Sequence, residues 1–258
     1  MREFLEIMAL AVLQGVTEFL PISSSGHLVL AQNILKMNPQ GVQLEVVLHL
    51  GTMVSIMAYY RAVLLRLVAG FFKGERKSLT MLGYILLSAL PAAFFYFLCH
   101  DKIEGFYEDP HAVGGFLIFT GVVLCVLRWL RCGHGEVDAP RAFLIGLAQA
   151  LAILPGVSRS GLTISAARMA GVAVDKAAEF SFLMCLPLLA GAAFLDMLGG
   201  GATNVPATSG WLLAFGAVVA ALVGYGALSL LVGVLRSGRF WIFGVYCILV
   251  GLLTIACV

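Results

Sequence analysis

Apolar residues run along this chain in blocks long enough to raise the question of bilayer crossing, which takes roughly 20 residues of helix. Six blocks qualify, at about 42–60, 79–99, 112–130, 175–198, 211–235 and 240–257. Two others, 4–36 and 141–170, are as apolar but are interrupted at their centres by LPISSSGH (20–27) and PGVSRSGLT (155–163). Each half of these two is only about 12–15 residues, too short to cross at a rise of about 1.5 Å per residue. The pattern predicts helix–loop–helix hairpins that enter the membrane and return. Such irregular backbone survives at that depth only where protein buries it or where it lines a polar cavity.

Charge between the blocks supplies an orientation. The 61–77 connector holds Arg61, Arg66, Lys73, Arg76 and Lys77 against Glu75, whereas the 100–111 connector holds Asp101, Glu104, Glu108 and Asp109 against Lys102. Arg128, Arg131 and Arg141 flank the next connection, and Arg236 and Arg239 form the turn before the last block. Basic connectors stay on the cytoplasmic side, so the acidic connector and the uncharged 199–210 stretch are expected outside. Arg168, Asp175, Lys176 and Glu179 then fall at the cytoplasmic edge, and Asp196 near the opposite interface. The sides alternate without conflict only if the two broken blocks do not cross.

The two halves also match each other. At an offset of 135 residues Gln14 falls on Gln149, Ser23 on Ser158, Ser25 on Ser160 and Gly26 on Gly161. Each half is one hairpin followed by three spans, an odd number, so the second half is inverted relative to the first. The expected fold is an all-α integral membrane protein with an inverted-topology repeat, residues 1–258 forming one polytopic domain with repeats at about 1–132 and 138–258. In such folds the site lies where the repeats meet and is built from broken helices.

Composition agrees: 61% of residues are hydrophobic and 12% charged, about half the charged fraction of a soluble domain. The mean hydropathy is +1.00. The six cysteines form no metal-like grouping and read as small packed hydrophobes. Glu3, Glu6 and Glu18 interrupt the first apolar block, so it does not read as a cleaved leader.

The interruptions carry the chemistry. Gln14 and Glu18, four apart, share a helix face. Pro21 ends that turn, and a helix starting near Ser23, Ser24 and Ser25 aims free N–H groups and its positive end at the tip. His27 follows Ser24 by three residues, within reach of its hydroxyl. Serines at a helix start commonly serve only as caps, but ionisable groups at membrane depth point to function. The second tip offers Arg159 between Ser158 and Ser160, a planar fork of donors suited to phosphate or carboxylate. Arg159 could instead simply neutralise Glu18. Gln149 is a candidate lining residue, as are Glu45 and His49.

Together QGVTE running into PISSSGH, and PGVSRSGLT, resemble the signature of the undecaprenyl-pyrophosphate phosphatase (bacitracin-resistance) family. LEVVLHLGT, SFLMCLP, the span order and the length extend the similarity over the whole chain. The resemblance implies a membrane hydrolase that removes the terminal phosphate of undecaprenyl pyrophosphate, recycling the lipid carrier of cell-wall synthesis. It further implies a divalent cation (Mg²⁺ or Ca²⁺), a bacterial plasma-membrane location with the site open to the external side, and homodimer formation. On that basis Ser24 is expected to attack, with His27 as proton acceptor or acid. Arg159, Ser23, Ser25, Ser158, Ser160, Thr163 and Gln149 are expected to hold the diphosphate, and Glu18 with Gln14 the cation. Gln14 stands where the family also uses Glu, which weakens a cation role there. His27 as nucleophile, or direct attack by water, stays open. A lipid transporter is the rival function on the same architecture.

Overall fold

The computed structural model describes residues 2–35, 41–130, 133–198 and 210–257. The 199–209 stretch, Arg131, Cys132 and the side chains of Asp101, Glu104 and Asp196 lie outside what is described. The two interrupted blocks fold as hairpins: α1 (Arg2–Phe19) with α2 (Ser24–Leu35), and α7 (Ala139–Leu151) with α8 (Arg159–Met169). At 18 residues α1 is longer than its share of the block suggested. The remaining helices are α3 (Gly41–Tyr59), α4 (Arg61–Phe72), α5 (Arg76–Tyr107), α6 (Pro110–Val126), α9 (Val174–Leu198), α10 (Gly210–Arg236) and α11 (Ile242–Cys257). Of these, α5, α6, α9 and α10 are long and apolar enough to cross a membrane, and α3 with α4 makes a bent fifth; α11 is shorter but equally apolar. The chain is a multi-pass membrane protein.

Two connectors differ from expectation. The basic 61–77 stretch is largely the helix α4, turned by 79° from α3, because nothing between Arg61 and Phe72 breaks a helix. It exposes Leu65, Val68 and Phe72 beside Arg61 and Arg66, the composition of a helix lying in the interface plane. The acidic 100–111 stretch continues α5 as far as Tyr107. The break comes at Asp109, whose carboxylate accepts from His111 N at 2.9 Å, and Pro110 opens α6 in the position proline favours.

The inverted repeat is visible in the packing partners. α1 lies on α10 as α7 lies on α5, and α3 packs on α10 as α9 packs on α5. α6 and α11, the third span of each half, pair with each other antiparallel. A Cβ at Gly121 would stand 2.6 Å from the Gly244 carbonyl oxygen, and one at Gly251 2.5 Å from that of Gly114. Only glycine allows such backbone contact, and dispersion between closely approached helices is what holds bundles together in lipid. Arg236 and Asp175 pair at 2.7 Å near one end of the bundle. No strand occurs among the described residues beyond two isolated bridges, Gly133 to Ala173 and Gly135 to Val172.

Candidate active site

The two hairpin tips are capped alike. Ser23 Oγ accepts from Gly26 N at 3.3 Å, and Ser158 Oγ accepts from Gly161 N at 3.1 Å. In both tips the second serine of the pair, Ser25 or Ser160, lies 3.3 Å from the first. This is the N-cap bond that satisfies a free donor at a helix start. It leaves Ser24 and Arg159 as the first residues of α2 and α8, at the positive helix ends.

The tips interlock. Gly156 N donates to Ser23 Oγ at 3.1 Å, and a Cβ at Gly26 would meet Gly156 Cα at 3.0 Å. Ser23 takes a left-handed φ of +69°, unusual for a non-glycine residue. The bonds from Gly26, Gly156 and His27 hold it there. Behind the tips, Thr120 of α6 accepts from Ser158 N at 3.0 Å, while Cys247 of α11 donates to the Pro21 carbonyl at 3.5 Å.

Between the tips lies a polar cavity of about 190 Å³, lined by Glu18, Ser23, Ser24, Ser25, His49, Tyr107, Gln149, Ser158, Arg159 and Cys185 together with apolar side chains. Glu18 is its centre and is 6% exposed. Arg159 Nη2 donates to Glu18 Oε1 across the repeat interface. Ser24 Oγ donates to Glu18 Oε2 at 2.6 Å, Gln14 Nε2 to the same oxygen at 3.1 Å, and His49 Nε2 stands 3.6 Å from it. The carboxylate thus accepts the Ser24 hydroxyl while its charge is balanced by the guanidinium.

Other expected residues lie elsewhere. His27 turns away from the cavity: its Nδ1 lies 2.8 Å from the Ser23 carbonyl and its Nε2 2.8 Å from the Tyr246 hydroxyl. A carbonyl only accepts, so Nδ1 carries the hydrogen and Nε2 accepts from Tyr246. Both ring nitrogens are committed, and Glu18, not His27, receives the Ser24 hydroxyl. Thr163 Oγ1 donates to the Arg159 carbonyl at 2.7 Å and lies 2.5 Å from Ser181 Oγ, bracing α8 without lining the cavity. Ser160 is buried against Ser158 and the Leu20 carbonyl, and Gln14 is fully buried behind Glu18. Gln149 does face the cavity, and both of its amide atoms are buried without a partner. His49 sits opposite Glu18 with its Nδ1 fixed by the Glu45 carbonyl at 2.8 Å; its signals were the four-residue spacing from Glu45 and its place in the LEVVLHLGT run. Nothing in the sequence near Tyr107 marked it as a lining residue, and Cys185 stood out only as part of the SFLMCLP run.

A family profile described as Bacitracin resistance protein BacA matches residues 7–253. The chain belongs to that family. Among its relatives, the protein named undecaprenyl-diphosphatase of Halothermothrix orenii is 35% identical over 256 residues, covering 98% of this chain and 97% of its own. The protein of that name from Rhodopirellula baltica is 38% identical over 261 residues, covering 99% and 98%. A third, from Syntrophotalea carbinolica, is 37% identical over 258 residues, with 96% of each chain covered. The family match spans both hairpins, so the cavity is built wholly from residues inside it.

Proposed function

We propose that this protein hydrolyses undecaprenyl diphosphate to undecaprenyl phosphate and inorganic phosphate, recycling the lipid carrier of cell-wall synthesis and conferring bacitracin resistance. The observation that carries the mechanism is a serine hydroxyl bonded to a buried carboxylate whose other oxygen takes an arginine from the opposite repeat. A substrate diphosphate entering between the tips meets the Arg159 fork, the Gln149 amide and two helix N-termini. Ser24 Oγ attacks the terminal phosphorus as its proton passes to Glu18. The bond from that phosphorus to the bridging oxygen breaks, and the proton follows to the departing lipid phosphate. Water then attacks the phosphoserine, giving a proton through Glu18 to Ser24 Oγ and releasing phosphate. Arg159 offsets the charge that spreads over the transferred group. His27, Thr163 and Ser160 support the tips.

Glu18 and Gln14 do not make a cation site by themselves. The carboxylate is occupied by Arg159, Ser24 and Gln14, and no group of three or more His, Cys, Asp or Glu able to hold an ion occurs among the described residues. Mg²⁺ and Ca²⁺ take about six or more oxygens, and Mg²⁺ commonly binds through substrate phosphates. A required cation would therefore ride on the diphosphate, and no step is assigned to it. The cavity is assigned to the external face of the plasma membrane: Tyr107, which lines it, directly precedes the acidic Glu108 and Asp109, while the basic residues of α4 lie on another connector.

The test is phosphate release from undecaprenyl diphosphate in detergent. Wild type is expected to turn over, and Ser24→Ala and Arg159→Ala to lose most of the rate. Full release by Arg159→Ala would overturn its phosphate role, and no release by the wild type would favour a lipid transporter.

A further inference from the structure

Beside the polar cavity lies an apolar groove of about 420 Å³ between α5 and α9, more than twice the volume of the cavity itself. Ile153 of the second tip and Leu188 of α9 line both, so the two adjoin at these residues, the juxtaposition that a molecule with a charged head and a hydrocarbon body requires. Small side chains cut the groove: Ala89 and Ala93 on α5, Gly191 on α9. A Cβ at Gly191 would meet nothing within 4 Å, so no packing partner requires a glycine there. Pro187, inside α9, also lines the groove; a proline there removes one hydrogen bond of the helix.

Two other cavities fit this role less well. An apolar one of about 500 Å³, beside Phe143 and Leu147, shares no lining residue with the polar cavity among the described residues. The gap between α3 and α9 does share His49 and Leu189 with it, but carries the Glu45 carboxylate. A hydrocarbon chain laid on that carboxylate would strip it of water at high cost.

We infer that the α5–α9 groove seats the first isoprene units of the polyprenyl substrate and fixes the side on which the chain leaves for the lipid. This rests on the reading of the cavity as the diphosphate site. Lipid is as apolar as the groove, so seating the chain adds little affinity. Its effect is orientation: a chain held there aligns the terminal phosphate with Ser24, and small misplacements of a reacting group are costly. Branched, unsaturated chains suit a groove walled by alanine and glycine, where methyl branches find room.

Two measurements test this in the full chain. In the wild type, farnesyl diphosphate carrying a photoreactive group on its second isoprene unit should label Ala93, Tyr96 or Phe97 on α5, or Pro187 or Gly191 on α9, which line this groove and neither alternative. Labelling confined to the peptide around Glu45 and His49, or to that around Phe143 and Leu147, would overturn the assignment. In the second, Gly191→Phe fills the groove, and Ala190→Phe places the same bulk on an exposed position outside its lining. For Gly191→Phe, the ratio of kcat/KM for farnesyl over dimethylallyl diphosphate should fall about tenfold or more, as expected when a reacting group is misplaced; Ala190→Phe should leave that ratio unchanged. An unaltered ratio for a folded Gly191→Phe would overturn the groove while leaving the hydrolytic centre intact. Release from neither substrate by the wild type would overturn the diphosphate reading and the groove with it.

Discussion

Replacing Glu18 by Gln keeps its volume and removes its charge. The carboxylate is the counter-ion of Arg159, and the two side chains are 4% and 16% exposed. Breaking a buried pair by neutralising one member costs about 3–5 kcal/mol, because the other charge stays buried alone. For a domain of this size that corresponds to a drop of roughly 6–20 °C in apparent melting temperature. The same change leaves Ser24 Oγ, now 2.6 Å from Oε2, facing an amide whose oxygen still accepts a hydrogen bond but cannot take the proton. Losing a general base costs about 100- to 10,000-fold in rate. Melting in detergent and phosphate release on the same preparation read both quantities. Adding Arg159→Met removes the stranded cation, so the double variant should regain much of the melting temperature and none of the activity. A Glu18→Gln protein as active as the wild type would refute the assignment of Glu18 as base. A double variant no more stable than the single would refute the buried pair as the source of the stability loss.

Gln149 lines the cavity, with neither amide atom bonded to another protein group. Gln149→Leu should raise KM for the diphosphate; an unchanged KM would remove Gln149 from the site. Gly26→Ala places a methyl 3.0 Å from Gly156 Cα, so it should separate the tips and abolish activity, seen as loss of turnover in a protein that still purifies as a folded species. At Ser23, alanine retains the left-handed strain and loses the bonds to Gly26 and Gly156, whereas glycine relieves the strain. Ser23→Gly should therefore be more stable than Ser23→Ala by about 1 kcal/mol or more, read as a higher melting temperature, and the reverse order would contradict the strained turn.

Much of the architecture was legible because a bilayer restricts the choices. Length and apolarity picked out the spans, and Pro21 and the glycines of the second tip marked the hairpins. The offset of 135 residues anticipated the shared capping of Ser23 with Ser158 and of Ser25 with Ser160. Charge counting misread α4 and the end of α5 as loops, since polar residues on a helix without breakers look the same in one dimension. The site was half legible. Ser24, Glu18, Gln149 and Arg159 meet because the two tips meet. His27 is placed by Tyr246, 219 residues away, and helical spacing to Ser24 carried no information about that partner. Thr163 and Ser160 turn inward to brace α8, a choice set by Ser181 and the Leu20 carbonyl. His49 and Tyr107 reach the cavity only through the packing of α3 and α5 around the tips, which no local pattern encodes.

The most direct measurement is a rapid acid quench of the wild type with undecaprenyl diphosphate labelled with ³²P on its terminal phosphate, followed by peptide mapping. The expected result is an acid-stable label on the peptide containing Ser24, absent in Ser24→Ala. Acid-labile label on His27, or turnover that leaves the enzyme unlabelled at every quench time, would contradict attack by a serine held on Glu18.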